Sequence, residues 1–442
     1  MAQFVPHTGP EIEAMLAFVG LSSLDQLFAT VPVALRLAGG LDIPAGLSEP
    51  DVAVELEALA ARNRGGADLI CFAGGGAYDH DVPSAVRRVA GRSEFVTAYT
   101  PYQPEVAQGV LQALFEYQTM VARLAGLPVA NASLYDGATA CVEAANLACA
   151  ATGRATAWVS RGVNPAWRQV LRTFAAGTAH HLVELPLVDG TTAWGAPGGE
   201  APAAVLVQHP NYLGCLEDVA AARRLADEHG AMLVVAFDPV AAGLVVSPGS
   251  LGADVVVGEG QPFGTPLSFG GPYLGLLASR AEHVRRLPGR LVGETVDAAG
   301  RRAYVTTLRA REQDIRREKA SSNICTNQTL IAVCCAVQLA WLGTSGLTEL
   351  ALRCARATRY TREALLAIDG VVALAPAPVI REFAVRTPVP ASAVVDRMAD
   401  EGFLAGIALD DEYGGGLLVS ATERRTRAEI DAYAAALAKV VR

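Results

Sequence analysis

Short apolar runs recur along the middle of this chain, at residues 156–159, 181–185, 204–207, 232–236, 254–257 and 274–277. Helical patterns at 135–151 and 217–229 lie between them. This alternation predicts βαβ units, and so a mostly parallel sheet with helices on both faces. A long helical region is predicted from about residue 305 to 342. Beyond it, strand-like runs at 371–374 and 416–420 among helical stretches fit a smaller α+β domain. The first sixty or so residues read as a helical arm. Pro10-Glu11-Ile12-Glu13 opens a helix with acids in its first turn, Asp25 to Phe28 suggest a second short helix, and 51–63 an amphipathic third. Pro32, Pro44 and Pro50 interrupt the stretch. The expected division is an arm at 1–62, a large α/β domain at 63–310, and an interdomain helix with a small α+β domain at 311–442.

Composition narrows the function classes. With 442 residues, 51% of them hydrophobic, the chain can build a large core and still leave an apolar subunit interface. Its net charge of -9, with acids and arginines intermixed, argues against a nucleic-acid partner. The longest apolar stretch, 330–342, is interrupted by Gln338 and is too short to span a bilayer. Residues 1–9 lack the charged start and apolar run of a signal peptide. Eight scattered cysteines show no CxxC or zinc-ligand spacing, which reads as reduced, mostly buried thiols in a cytoplasmic protein.

Five motifs occur in order: Thr-Ala-Tyr-Thr-Pro-Tyr-Gln-Pro-Glu at 97–105, Tyr-Asp-Gly-Ala-Thr at 135–139, Gly-Glu-Gly-Gln-Pro at 258–262, Ser-Phe-Gly-Gly-Pro at 268–272 and Ser-Asn-Ile-Cys-Thr-Asn-Gln at 322–328. Together they resemble subunit 1 of the split glycine decarboxylases, the P-proteins of the glycine cleavage system. The resemblance covers nearly the whole chain. It implies the type I fold of pyridoxal phosphate enzymes and a heterotetramer of two such chains with two copies of a homologous subunit 2. It also implies the activity: glycine is decarboxylated through pyridoxal phosphate, and the aminomethyl group passes to the lipoyl arm of H-protein.

The same resemblance raises a difficulty. A pyridoxal phosphate enzyme holds its cofactor as a Schiff base on a lysine, and only Lys319 and Lys439 are lysines here. Subunit 2 carries its lysine in a His-Lys pair after an Asp-Val-Val strand. The matching strand here begins Asp254-Val255-Val256, and the pair falls at Gln261 and Pro262. Asp238, closing the run from Met232, stands where the family's aspartate meets the pyridine nitrogen. At the phosphate end, Asp136 precedes the helix starting near Gly137; its carboxylate would repel a phosphate dianion while capping the helix. Asp136, Asp238, Gln261 and Pro262 are therefore read as vestigial cofactor positions, with the cofactor expected on subunit 2 and no metal.

The role left is to complete the partner's pocket. Tyr99, Tyr102 and Gln103 are the leading candidates, on a loop that Pro101 and Pro104 would pre-organise; rigid packing is the alternative. Asn323 and Thr326 either reach towards the partner's cofactor or substrate, or cap a helix. The five basic residues of 309–319 read as a solvated helix face, with docking of an acidic carrier protein as the alternative. Residues 74–80, Gly-Gly-Gly-Ala-Tyr-Asp-His, read as a turn near the interface and not a nucleotide site. Lys319, in a charged stretch, lacks the surroundings that would lower its pKa for imine chemistry. A scaffold or regulatory pseudoenzyme of the same fold is the competing assignment.

Overall fold

A computed structural model describes residues 6–37, 39, 41–66, 68–96, 100–308 and 322–442. The chain divides into two compact units, Met1–Arg64 and Gly65–Arg442. The boundary expected at 310/311 lies outside the described residues.

In the first unit, α1 (Gly9–Phe18) starts at a capping box in which the Thr8 N–H donates to Glu11 Oε2 at 2.7 Å. α2 (Glu49–Ala60) is capped by Ser48, whose Oγ accepts from the Asp51 N–H. Short 3-10 turns at Leu24–Phe28 and Val33–Leu35 lie between them. Among the described residues of this unit only Leu16 is buried. Phe18 is 92% exposed and Leu35 76%, and the apolar side chains Val54, Leu56 and Leu59 of α2 are exposed too.

In the second unit, α3 (Gln108–Ala125) precedes β1 (Val129–Ala130). Then follow α4 (Gly137–Thr152), β2 (Thr156–Ser160), α5 (Pro165–Ala176), β3 (His181–Leu185), β4 (Ala204–His209), α6 (Val219–Glu228), β5 (Met232–Phe237), β6 (Val255–Glu259) and β7 (Gly275–Ser279). The seven strands form one sheet in the order β1-β7-β6-β5-β4-β2-β3. Neighbours from β3 to β6 are parallel, while β7 runs antiparallel to both β6 and β1. Alternate strand residues supply two cores. Val205, Val207, Leu233, Val235 and Val256 pack with α3 and α6, whereas Leu206, Val234, Ala236, Val255 and Val257 pack with α4 and α5. The central strands β4, β5 and β6 are apolar over most of their length because both faces are covered. α4 is built largely of Ala, Gly and Cys, so it lies close against the sheet.

The helix expected from 305 to 342 is displaced. Arg302–Thr306 is a strand paired with Val292–Val296, and 322–328 is neither helix nor strand. There Ser322 Oγ accepts from the Ile324 N–H at 3.1 Å, the local side-chain bonding that competes with a helix. α7 instead runs Thr329–Leu366, interrupted at Gly343 with φ 59° and ψ -173°. By length and composition α7 could cross a membrane, which 330–342 alone did not suggest. Its buried side chains, however, belong to the protein core: Ala332, Cys335 and Leu339 on one side of the break and Leu365 on the other.

The smaller layer is an antiparallel sheet of β8 (Val372–Ala373), β9 (Glu382–Arg386), β10 (Ile407–Ala408) and β11 (Leu417–Ser420), in the order β8-β9-β11-β10. It is covered by α8 (Ala391–Asp400) and α9 (Arg427–Val440). Phe72 stacks on Tyr433 in its core, ring centroids 4.0 Å apart.

Gly214 marks where the two layers meet. It has φ +81°, and a Cβ there would sit 1.8 Å from the carbonyl oxygen of Glu382 at the start of β9. Gly214→Ala is expected to destabilise the protein by about 2–4 kcal/mol, read as a lower midpoint in denaturant unfolding.

Candidate functional site

The carboxyl ends of β4, β5 and β6 deliver Gln208, Asp238 and Glu259 to one place, and the smaller layer adds Arg381 and Glu382 from the start of β9. Tyr78 and Trp167 complete the principal walls. Open α/β sheets place their ligand crevices at these strand ends. The cavity left is about 40 Å³, room for a few waters.

Arg381 organises one side. Its guanidinium pairs with Asp238 Oδ2 at 2.7 Å, donates to His80 Nε2 at 2.6 Å and lies 3.6 Å from the Tyr78 ring centroid. Because His80 Nε2 faces a donor, Nδ1–H is left to donate to Glu423 Oε2, 2.7 Å away. Asp238 Oδ1 also accepts from the Val240 N–H at 2.9 Å, which closes the turn after β5. Glu382 accepts from the Gly75 N–H at 2.6 Å and the Tyr78 hydroxyl at 3.0 Å. Burial raises its pKa to about 7 against those donors and the Arg381 charge.

Glu259 organises the other side. Oε2 accepts from the Gly137 N–H at 2.9 Å, the first turn of α4, while Oε1 accepts from Gln261 and Leu274 N–H groups, each at 2.9 Å. Burial lifts this carboxyl to about 8, opposed by the same three donors. Asp136 caps α4, its Oδ1 accepting from the Thr139 N–H at 2.7 Å. The fully buried Gln261 ties the 74–80 loop down: Oε1 accepts from the Tyr78 N–H at 3.0 Å and Nε2 donates to the carbonyls of Tyr78 and Thr265. Pro262 lines the cavity. Of the four positions read from the sequence, Asp238 and Pro262 line the cavity, while Asp136 caps α4 and Gln261 holds the 74–80 loop.

A second constellation joins the two expected partner-facing loops. Arg290 donates to Asn327 Oδ1 at 2.7 Å and to the Tyr102 hydroxyl at 3.5 Å, lying over the Tyr102 ring. Asn327 Nδ2 in turn donates to the Ala132 carbonyl at 2.8 Å. The Tyr135 hydroxyl accepts from the N–H groups of Cys325 and Thr326 at 3.0 and 3.3 Å. Tyr102, Gln103, Asn323 and Thr326 are exposed; Tyr99 lies outside the described residues, as do Lys319 and the basic stretch 309–319.

Several members of these sites escaped the sequence. Tyr78 and His80 sat in a stretch read only as a turn, and Arg381, Glu382 and Glu423 carry no motif. The one available signal was Glu259, inside the quoted motif at 258–262: an acid at the end of an apolar strand is costly unless its oxygens are bonded. His80, Cys354 and Glu423 bring three potential metal-ligand atoms together. His80, however, spends both ring nitrogens on Glu423 and Arg381, and the guanidinium opposes a cation there.

Residues 2–437 match the family described as Glycine cleavage system P-protein. The chain belongs to this P-protein family. It is 47% identical over 440 residues to a probable glycine dehydrogenase (decarboxylating) subunit 1 of Moorella thermoacetica, covering 98% of each. It is 45% identical over 444 residues to the protein so named from Desulforamulus reducens, covering 99% of this chain and 100% of the other. A crystal structure of glycine decarboxylase (P-protein) of the glycine cleavage system, in inhibitor-bound form, superposes with TM-score 0.92 at 46% identity, covering 99% of this chain and 100% of that one. A sphingosine-1-phosphate lyase from Burkholderia pseudomallei shares the fold alone, with TM-score 0.65 at 16% identity over 93% of this chain and 94% of the other. The fold is that of the type I pyridoxal phosphate enzymes.

In this P-protein chain the residues at the strand ends do not fit pyridoxal phosphate. Two of the first N–H groups of α4 are already bonded to carboxylates, Asp238 is paired with Arg381, and the remaining space is far below the roughly 300–1,000 Å³ of ligand pockets.

The raised carboxyls carry a pH signature. Glu382 moves from 4.5 to about 7, so between those values the folded state binds more protons than the unfolded chain. Its contribution is full below pH 4.5 and is lost as pH rises through 7. Glu382→Gln should remove part of the decline in stability over this range, on the order of 1–3 kcal/mol, in urea melts at stepped pH.

Proposed function

We propose that this chain is a subunit 1 that holds no pyridoxal phosphate of its own and completes the active site of a homologous subunit 2, in a cytoplasmic assembly of two plus two chains that decarboxylates glycine. The observation that carries the reading is the content of the pocket. Gln261 and Pro262 stand where the family resemblance puts a His-Lys pair, and carboxyl groups of the chain itself hold the start of α4. Lys439 offers no substitute, being paired with Glu401 at 2.5 Å with its side chain 69% exposed. The relatives' name, subunit 1, supports a second kind of subunit.

Pyridoxal phosphate on subunit 2 supplies the electron sink for decarboxylation, and the lipoyl arm of H-protein receives the aminomethyl group. The part played by this chain is positional. Arg290 holds Tyr102 and Asn327 in one rigid corner, and Pro101 and Pro104 limit the loop's freedom. Tyr99, Tyr102, Gln103, Asn323 and Thr326 would then meet the partner's cofactor and glycine, narrow the pocket and exclude water. The large apolar surface exposed by residues 6–64 supports a multi-chain assembly, because a monomer does not leave so much uncovered.

Borohydride reduction in pyridoxal phosphate followed by peptide mass mapping tests the assignment. The adduct is expected on the co-expressed lysine-bearing homologue and not on this chain; a stoichiometric adduct on this chain by itself would overturn it. In the assembled complex, Tyr99→Phe combined with Tyr102→Phe is expected to slow glycine decarboxylation about tenfold or more, the loss of one or two hydrogen bonds. Unchanged kcat and KM would remove the tyrosines from the pocket.

A further inference from the structure

We propose that Glu259 is a built-in occupant of a phosphate cradle: its carboxyl group sits on the α4 N-terminus where a phosphate would otherwise bind, and removing it creates a site for inorganic phosphate. This rests on the family-derived expectation, used above, that α4 is the phosphate-binding helix.

Three backbone N–H groups from three segments converge on this one side chain. Gly137 opens a sixteen-residue helix, Gln261 belongs to the turn after β6, and Leu274 immediately precedes β7; all three donor distances are 2.9 Å. A helix N-terminus combined with turn N–H groups is the donor set that takes up phosphate. Here the set is closed from inside. The side chain leaves the last residue of β6, so strand pairing fixes where it enters. A Cβ on Gly137 would lie 2.4 Å from two Trp167 ring carbons and 3.2 Å from Glu259 Cβ. Glycine is therefore what allows the indole and the acid to close over the helix end. Without an occupant, three buried N–H groups would lack acceptors.

The arrangement excludes the cofactor by a route separate from the lysine. Even with an amine restored at position 262, the phosphate would find its donors occupied. The loss of the cofactor is thus built in twice, once at the aldehyde end and once at the phosphate end.

Thermal unfolding of the full-length chain in tens of millimolar phosphate, against chloride at matched ionic strength, tests the proposal. Wild type is expected not to respond. Glu259→Ala should melt several degrees lower and recover part of that loss in phosphate but not in chloride. Glu259→Gln keeps the volume but turns an N–H₂ towards the cradle, so it should melt lower with no recovery in phosphate. A Glu259→Gln midpoint equal to wild type from pH 6 to 9, or an alanine variant as indifferent to phosphate as wild type, would overturn the proposal. If the alanine variant does not fold, the glutamine comparison alone decides. A borohydride adduct on this chain would sink the functional assignment, and its readout is independent of the phosphate response.

Discussion

The ion pair between Arg381 and Asp238 is the interaction around which the second unit is arranged. It joins the end of the central strand β5 to the start of β9 in the smaller sheet, so it holds the two layers at a fixed separation. Both groups are largely shielded from water, and such a pair is tolerated when most of its remaining donors and acceptors are used. His80 and Glu423 on one side, Tyr78 beneath the guanidinium and the Val240 N–H on Asp238 supply those contacts, while Arg381 Nε has no hydrogen-bond partner among the described residues. Removing either charge would leave the other uncompensated in the same cavity.

This explains why the pocket is polar and yet small. In a type I pyridoxal phosphate fold, the crevice at these strand ends is where a charged cofactor would satisfy an aspartate and a helix N-terminus. Here Arg381 satisfies the aspartate, and Glu259 with Asp136 satisfies the helix. Side chains of the chain itself thus fill the strand-end crevice. The raised pKa values of Glu259 and Glu382 belong to the same arrangement: burial opposes their ionisation, and hydrogen bonds only partly offset it.

The first unit poses the opposite problem. Residues 6–64 form helices with sound capping but bury one side chain among those described. Capping and propensity stabilise a helix only marginally, and tertiary burial of an apolar face normally supplies the rest. The constellation of Tyr102, Arg290, Asn327 and Tyr135 ties together the segments that carry the exposed Tyr102, Gln103, Asn323 and Thr326.

The sequence by itself determined the strands of the large sheet between 156 and 279, because strands packed between helices are rich in apolar residues and such runs are short and readable. It also determined that Gln261 and Pro262 offer no amine and that Asp136 would cap its helix, since these follow from residue type and a neighbouring pattern. Only the tertiary structure decided that Arg381 and Glu382 meet Asp238, that His80 and Glu423 stand behind them, and that Glu259 turns onto α4. Those partners lie more than a hundred residues apart, and nothing local records them; the strand order and the packing of the two layers bring them together. The misplaced helix between 305 and 342 has a more local cause: the hairpin of 292–296 with 302–306 and the side-chain bonding of 322–324 stand where a helical pattern was read.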